Sequence, residues 1–451
     1  MGRMWIIVAA LANAVSPAEA SSLARQTAIA VQSAYDAQLG LASFDSAWAR
    51  IHASHYDPAF NGIDWLGVRQ QLRPLAERAS SIAELRAVIR DMLARLGESH
   101  YSLIPADVAD AVDPARVRAL DAPGDAGLEM RLAEGELAVW RVDPEGPAAR
   151  AGIRPGLVVE TIDAYRPADA LRRVLVLQDP AERRKALTQF LWSANAQPDG
   201  PAGSVTVIQL RAEDGAVTTH RVTRRRRPGE PVRFGNLPTF FARLDHHTVG
   251  DHANCVGVIQ FNVWMVPLMP AFDRAVDQTR HCRGIIIDLR GNPGGVAGMV
   301  MGLAGHFMTQ RVPLGTMRSR GTALNFVVNP RLVDAQARPV QPFDGPLAIL
   351  IDDMSVSTTE IFAGGMQALG RARVFGQTSA GQALPAALLR LPDGDVLMHV
   401  VADFTAAGGT RIEGRGVVPD ESVAVTRTDL QAGRDAAMQA AIAWIRSRTH
   451  S

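Results

Sequence analysis

The spacing of apolar positions changes character twice along the chain, and those changes outline three kinds of structure. Residues 24–96 keep a helical period. Phe44, Trp48, Ile51 and His52 fall on one face, and Ile82, Leu85, Val88, Ile89, Met92, Leu93 and Leu96 form a second stripe. Ser80 or Ser81 stands where that second helix needs a cap, and Gly97 where it needs an end. The Asp-, Ala- and Pro-rich stretch 106–124 carries no period and reads as a linker.

Between 125 and 228 the pattern shortens. Runs of β type at 137–142, 157–162, 205–210 and 218–222 alternate with turns, and 168–192 is a helical insertion. The stretch Gly146-Pro147-Ala148-Ala149-Arg150-Ala151-Gly152-Ile153-Arg154-Pro155-Gly156 predicts a short helix ended by Gly152, then a Pro-Gly turn into a strand. From 229 to 427 apolar strands precede amphipathic helices: 256–261 before 268–279, 285–289 before 299–307, and 347–351 before 358–369, with a short strand at 374–375. That alternation predicts a largely parallel sheet covered on both faces. A helix at 430–446 lies within a closing segment, 428–451. The expected fold class is α/β multidomain: a helical N-terminal domain (21–105), a β-rich middle domain (125–228) and an α/β domain (229–427).

Composition narrows the function classes. The 451 residues are 47% hydrophobic, enough for several cores. With 47 basic and 46 acidic residues, nothing in the charge favours nucleic acid or an anionic membrane as partner. The run Arg224 to Arg227 reads as a solvated strand end or linker. At the start, Arg3, an apolar stretch over 4–15 and Ala18-Glu19-Ala20 have the form of an export signal cleaved after Ala20. The expected location is periplasmic or secreted, with no integral membrane segment in the mature chain. Cys255 and Cys282 each precede an apolar run, so a disulfide and two unpaired buried thiols both fit.

Candidate chemistry concentrates in four places. Ser357 follows the apolar run 347–351 and opens the helix pattern 358–369, where the next helix's amides point outward. A hydroxyl there suits a nucleophile whose reaction creates an oxyanion. Ser357-Thr358-Thr359-Glu360 is equally a capping box that needs no chemistry. The turn Asp288-Leu289-Arg290-Gly291-Asn292-Pro293-Gly294-Gly295 leaves amides free, yet lacks the Lys-Ser/Thr of a nucleotide loop. Gly97-Glu98-Ser99-His100-Tyr101 offers a base, either catalytic or structural. The only lysine, Lys185, sits in the insertion, which leaves a Ser-Lys pair almost without raw material. Glu413, in Glu413-Gly414-Arg415-Gly416-Val417-Val418-Pro419-Asp420, is either a strand-end carboxylate or the orienting acid of a triad. His246, His247 and His252 read as surface residues, and no metal or organic cofactor is expected.

Taken in order, these elements resemble the C-terminal processing peptidases (tail-specific proteases) and the tricorn core protease. The resemblance spans the Ser99-His100 end of the helical domain, the Gly146–Gly156 stretch, the Gly-rich turn, the Ser-x-x-Glu helix start and the Glu-Gly-x-Gly-Val-x-Pro-Asp run. It implies a PDZ-like middle domain and a ββα-repeat (ClpP/crotonase-like) catalytic domain. It implies Ser357 as nucleophile, and it implies backbone N–H groups of Gly295 and Thr358 as oxyanion hole. Processing peptidases carry a lysine 25 residues after the nucleophile; here that position is Gln382, which cannot accept the proton. The tricorn-like branch instead implies His100 as base and Glu413 as its orienter, directly or through Ser99. Gly127-Leu128-Glu129 would be the peptide-binding loop of the PDZ-like domain, though Leu157 stands where Asp is usual after Gly156. The expectation is an exported serine endopeptidase acting on polypeptide substrates, losing activity below about pH 6.5 as a free imidazole protonates. A catalytically inactive peptide- or hydrophobic-ligand-binding protein on the same scaffold is the competing class.

Overall fold

A computed structural model describes residues 35–106, 122–233, 239–251 and 254–448. The export-type segment 1–20, most of the linker and His252 lie outside the described residues. Three helices open the described chain: α1 (Ala37–Ser54), α2 (Trp65–Arg78) and α3 (Ile82–Ala94). Asp36, Asp64 and Ser81 cap them, each accepting first-turn N–H groups. The predicted stripes meet in one core, where Phe44, Trp48 and Ile51 pack with Leu85, Ile89, Met92 and Leu93. His52 is exposed and stacks on Trp48 instead. Gly97 takes φ +68, then β1 (Ser102–Ile104) follows.

The middle unit is a five-stranded antiparallel sheet with its strands in chain order: β2 (Leu128–Ala133), β3 (Glu136–Val142), β4 (Val158–Ile162), β5 (Val205–Arg211) and β6 (Val217–Thr223). The short helix α4 (Pro147–Arg150) lies between β3 and β4. The insertion is two helices, α5 (Pro167–Leu175) and α6 (Pro180–Ala196). Strand β2 is not evident in the sequence because Arg131 is buried within it and breaks the apolar alternation. The arginine run is a strand end as expected, with Arg226 exposed, but its other side chains are not simply solvated. Arg224 is buried with its Nε donating to Pro198 O, while Arg225 pairs with Asp125 and Asp143 and Arg227 with Asp199. Nearby carboxylates and carbonyls, not solvent, satisfy these guanidinium groups.

The α/β unit begins with β7 (Leu244–Val249) and β8 (Val256–Phe261), followed by α7 (Met269–Thr279), β9 (Gly284–Asp288) and α8 (Met299–Ala304). The hairpin β10 (Val312–Ser319) and β11 (Thr322–Val328) precedes β12 (Leu347–Ile351), α9 (Thr358–Ala368) and β13 (Arg373–Gly376). Then come β14 (Ala386–Arg390), β15 (Val396–Val400), β16 (Asp403–Ala406) and β17 (Glu421–Ser422). The expected final helix is broken at Gly433 (φ +66) into α10 (Arg427–Gln431) and α11 (Ala436–Ser447).

The main sheet runs β7-β8-β9-β12-β13-β17, parallel except for β7. Its inner strands β8, β9 and β12 are buried on both faces, as their apolar runs require, while the edge strand β7 is largely exposed. Ile285, Ile287, Leu347, Ile349 and Ile351 share a core with α7, α8 and α9, while Ile286, Ala348 and Leu350 pack on Ala441 and Ile445 of α11. Cys255 and Cys282, at the same end of β8 and β9, are joined as a disulfide. One small sheet matters most for function. Strand β1 pairs with β15, which pairs with β14, and Leu391 and Leu397 sit in the N-terminal helical core. The ion pair Arg86–Asp395 (2.7 Å) reinforces that seam. His100, two residues before β1, is therefore pinned to the far end of the chain.

Candidate active site

Ser357 is the N-cap of α9 and has φ +69 and ψ −120. A side-chain-bearing residue there costs about 1–3 kcal/mol and persists only where its surroundings over-determine it. Those surroundings are dense. Val356 N–H donates to Asn292 O (3.0 Å), and Thr359 Oγ1 to the same oxygen (3.1 Å). Asn292 Nδ2 donates to Phe261 O, and its Oδ1 accepts from Gly294 N–H. The Gly-rich turn after β9 is thereby laced to the turn that carries Ser357. Gly294 (φ +92) shows how close they come: a Cβ at that position would lie 2.8 Å from both Cβ and Oγ of Ser357.

The neighbouring serine provides the contrast. Ser355 Oγ donates to Leu289 O (2.8 Å) and accepts from Asp352 N–H (3.0 Å). Ser357 Oγ is buried with no hydrogen-bond partner among the described residues. Ser355 has a structural task; Ser357 has a free hydroxyl. Gly295 O accepts from Thr358 Oγ1 (2.9 Å), which sets the glycine turn against the start of α9. No hydrogen bond among the described residues claims the N–H of Gly295 or of Thr358. Two free amides beside a free hydroxyl at a helix N-terminus form a pocket of positive potential fit for an oxyanion.

Glu360, which the sequence offers only as half of a capping box, organises more than a cap. Its carboxylate accepts from Ser357 N–H (2.9 Å), Ser379 Oγ (2.6 Å), Gly381 N–H (2.7 Å) and Gln382 N–H (2.9 Å). Burial raises its pKa against the lowering effect of those donors. Gln382 itself keeps a buried Nε2 without a partner among the described residues.

The histidine arrives from the other end of the chain. His100 has φ +60 and is 6% exposed, with Nδ1 2.7 Å from Ser99 Oγ. Ser99 Oγ donates to Glu413 Oε2 (2.9 Å), and Ser99 N–H donates to Glu413 Oε1 (3.1 Å). Because the hydroxyl's single proton goes to the carboxylate, Nδ1 must donate to it, which leaves Nε2 as the acceptor. That is the tautomer a general base requires. Burial, with a smaller contribution from the Lys185 ammonium, pushes the His100 pKa down to about 3, so the ring is neutral. Burial likewise pushes Glu413 up to about 7, opposed by the Ala383 and Ser99 donors. His100 Nε2, like Ser357 Oγ, has no hydrogen-bond partner among the described residues, and the two are not bonded to each other. What it does bring together are their supports. Residues 379–383 give N–H groups to both carboxylates, Gly381 and Gln382 to Glu360 and Ala383 to Glu413 (2.8 Å).

The remaining sequence candidates fall elsewhere. Gly127 has φ +72, and Leu128 and Glu129 begin the edge strand β2. Asn195 of α6 already takes the Met130 N–H (2.8 Å) and C=O (3.0 Å) on that strand, and Met354 fills the adjoining core. His246 bonds Gln278, and the two sulfurs near His281 are spent on each other. Lys185, set aside from the sequence, comes to the base loop: its Nζ donates to Glu98 O at 2.6 Å. No spacing rule signals that approach, since it depends on how the middle sheet docks.

Comparison with known proteins agrees with this geometry. Residues 256–423 match Peptidase family S41, and residues 42–94 match the Tricorn protease C1 domain. A carboxyl-terminal-processing protease of Picosynechococcus sp. is 25% identical over 385 residues, covering 84% of this chain and 81% of its own. A chloroplastic carboxyl-terminal-processing peptidase 2 of Arabidopsis thaliana is also 25% identical, over 387 residues, covering 84% and 67%. The solved photosystem II D1 C-terminal processing protease shares the fold with a TM-score of 0.57 at 19% identity, over 90% of this chain and 97% of that one. With an unpartnered serine on a strained helix cap inside the region that matches Peptidase family S41, the chain resembles that family there and is a serine-type peptidase.

Proposed function

We propose that this peptidase cleaves polypeptides by a Ser357–His100–Glu413 mechanism, with Ser99 as the link between the last two. Ser357 Oγ attacks the scissile carbonyl while His100 Nε2 takes its proton and later returns it to the leaving amine. Glu413 holds the imidazolium through Ser99, and the Gly295 and Thr358 amides receive the tetrahedral oxyanion. The observation that carries this reading is the pair of buried, unpartnered atoms, Ser357 Oγ and His100 Nε2, each backed by a fully bonded carboxylate. Buried polar atoms are rarely left orphaned without a use.

The finer fold reading is part of the same proposal: the middle sheet acts as a PDZ-like module and the α/β unit as a ClpP/crotonase-like core. Among the described residues no helix is long and apolar enough to cross a membrane. The 1–20 pattern supports export, which N-terminal sequencing of the secreted form tests. For the mechanism, the expected result is rapid labelling of Ser357 by a fluorophosphonate and hydrolysis of fluorescein-casein. Ser357→Ala should lose both with its circular dichroism unchanged. Labelling that survives in Ser357→Ala would refute the assignment.

A further inference from the structure

Lys185 has no part in the mechanism above, yet α6 delivers it to the loop that holds the base. Its Nζ donates to the Glu98 carbonyl oxygen at 2.6 Å. The N–H of the same peptide unit, that of Ser99, donates to Glu413 Oε1 at 3.1 Å. One peptide group is thus gripped on both edges, by an ammonium on its oxygen and a carboxylate on its nitrogen. The two bonds reinforce each other, because a cation on the carbonyl makes the N–H a stronger donor. The next two side chains are Ser99, whose Oγ accepts from Nδ1, and His100, held at φ +60. A left-handed histidine after a left-handed glycine (Gly97, φ +68) stays put only under such constraint.

We propose that Lys185 is a positioning residue for the base: by clamping the Glu98–Ser99 peptide against Glu413 it fixes the ring of His100 in the orientation that accepts the Ser357 proton. This rests on the Ser357–His100–Glu413 reading. The Glu98 side chain is occupied elsewhere, by His55, Tyr56 and Asn61, so only its carbonyl is offered to Lys185. The same helix braces the other two catalytic loops. Arg184 donates to Arg415 O (2.9 Å), two residues past Glu413, and Thr188 to Asp353 O (2.9 Å), four before Ser357. The charged groups that face His100 are Lys185 from α6 and Glu413 through Ser99; Glu360 acts on Glu413, and Glu413, Glu98 and Glu182 act on Lys185. The ammonium therefore also opposes protonation of the ring.

The test uses the full chain and a fluorophosphonate, with the maximal inactivation rate and the half-saturating concentration measured from pH 5 to 8. Lys185→Met keeps the length and removes donor and charge. We expect its maximal rate to fall at least tenfold, its half-saturating concentration to stay within twofold, and its acid limb, which Glu413 sets near pH 7, to move to higher pH because the ammonium no longer favours that carboxylate. Lys185→Arg should recover most of the rate and restore the limb. A general loss of packing would not move the limb. A Lys185→Met rate within twofold of wild type, with the limb unmoved, overturns the proposal. If Lys185→Met does not fold, Lys185→Gln carries the comparison, since it keeps a donor without the charge; wild-type behaviour at every pH would again overturn it. Ser357→Ala and His100→Asn run in parallel separate the two ideas. If either still reacts, the mechanism itself fails, whatever Lys185 does.

Discussion

The neutral, buried ring of His100 has a measurable thermodynamic signature. Its value stands at about 3 in the folded chain against an ordinary 6.5, the cause being burial first and Lys185 second. Folding therefore favours the neutral form. The stabilisation is complete above pH 6.5 and is lost as pH falls, because the unfolded chain takes up the proton first. Between pH 7 and pH 5 the difference in proton uptake amounts to about 2 kcal/mol, at roughly 1.4 kcal/mol per pH unit below 6.5. His100→Asn removes the titrating group while keeping a residue that tolerates φ +60. Urea unfolding followed by tryptophan fluorescence is a suitable assay, since Trp48 and Trp65 are buried in the helical core that leads into the His100 loop. The wild type should lose about 2 kcal/mol more than His100→Asn on going from pH 7 to pH 5. Glu413 acts in the opposite sense. Raised to about 7, it contributes stability at low pH that disappears as pH rises through that value. It is present in both proteins and cancels in the difference. Equal losses in the two proteins would mean that the ring is hydrated, and the argument for a neutral base would fall. The same burial corrects the expectation of a loss of activity at pH 6.5, because the ring stays neutral well below that; Glu413 is the site group that ionises near 7.

Two further substitutions probe the scaffold of the site. Gly294→Ala places a Cβ 2.8 Å from Ser357 Oγ at a residue with φ +92; labelling should fall more than a hundredfold, and stability by about 1–3 kcal/mol, with a fast-labelling, stable variant as the contrary result. Arg131→Met strips the buried partner (2.7 Å) from Asp352, whose carboxylate also anchors Gly291 and Met354 next to the nucleophile turn. The uncompensated carboxylate should cost about 3 kcal/mol or more in a denaturant melt, and Asp353, already pushed up to about 7 by burial and by Asp352, should rise further.

How much of this was legible in the sequence follows from the range of each interaction. Strands 256–261 and 347–351 are continuous apolar runs and appear in the structure with those bounds. The helix cap of α3 and the turn glycines were equally readable, since caps and turns are set within four residues. The β10–β11 hairpin and strands β14 to β16 were not. Thr322 to Asn325 are exposed, so no alternation marks that strand; β15 is identified by its pairing with β1, some 290 residues away, and β14 by its pairing with β15. The members of the proposed triad were nameable only as residue types in a familiar order. Their linkage through Ser99, the four donors on Glu360 and the arrival of Lys185 are tertiary facts that no local pattern encodes.

The absence of a lysine at position 382 acquires a physical meaning in this arrangement. Gln382 still serves the scaffold through its N–H to Glu360, and the next residue, Ala383, gives its N–H to Glu413. That loop is here a bridge between the carboxylate bonded to the Ser357 N–H, Glu360, and the carboxylate bonded to Ser99 beside His100, Glu413. Both carboxylates accept only donors fixed by backbone geometry or by short side chains, so moving either by an ångström strains hydrogen bonds at the other. Ser357 and His100, 257 residues apart in sequence, are thereby held to one frame although no bond joins them in this structure. Under the proposed mechanism, a substrate carbonyl entering between Ser357 Oγ and the Gly295 and Thr358 amides would have only the last proton-transfer contact left to complete.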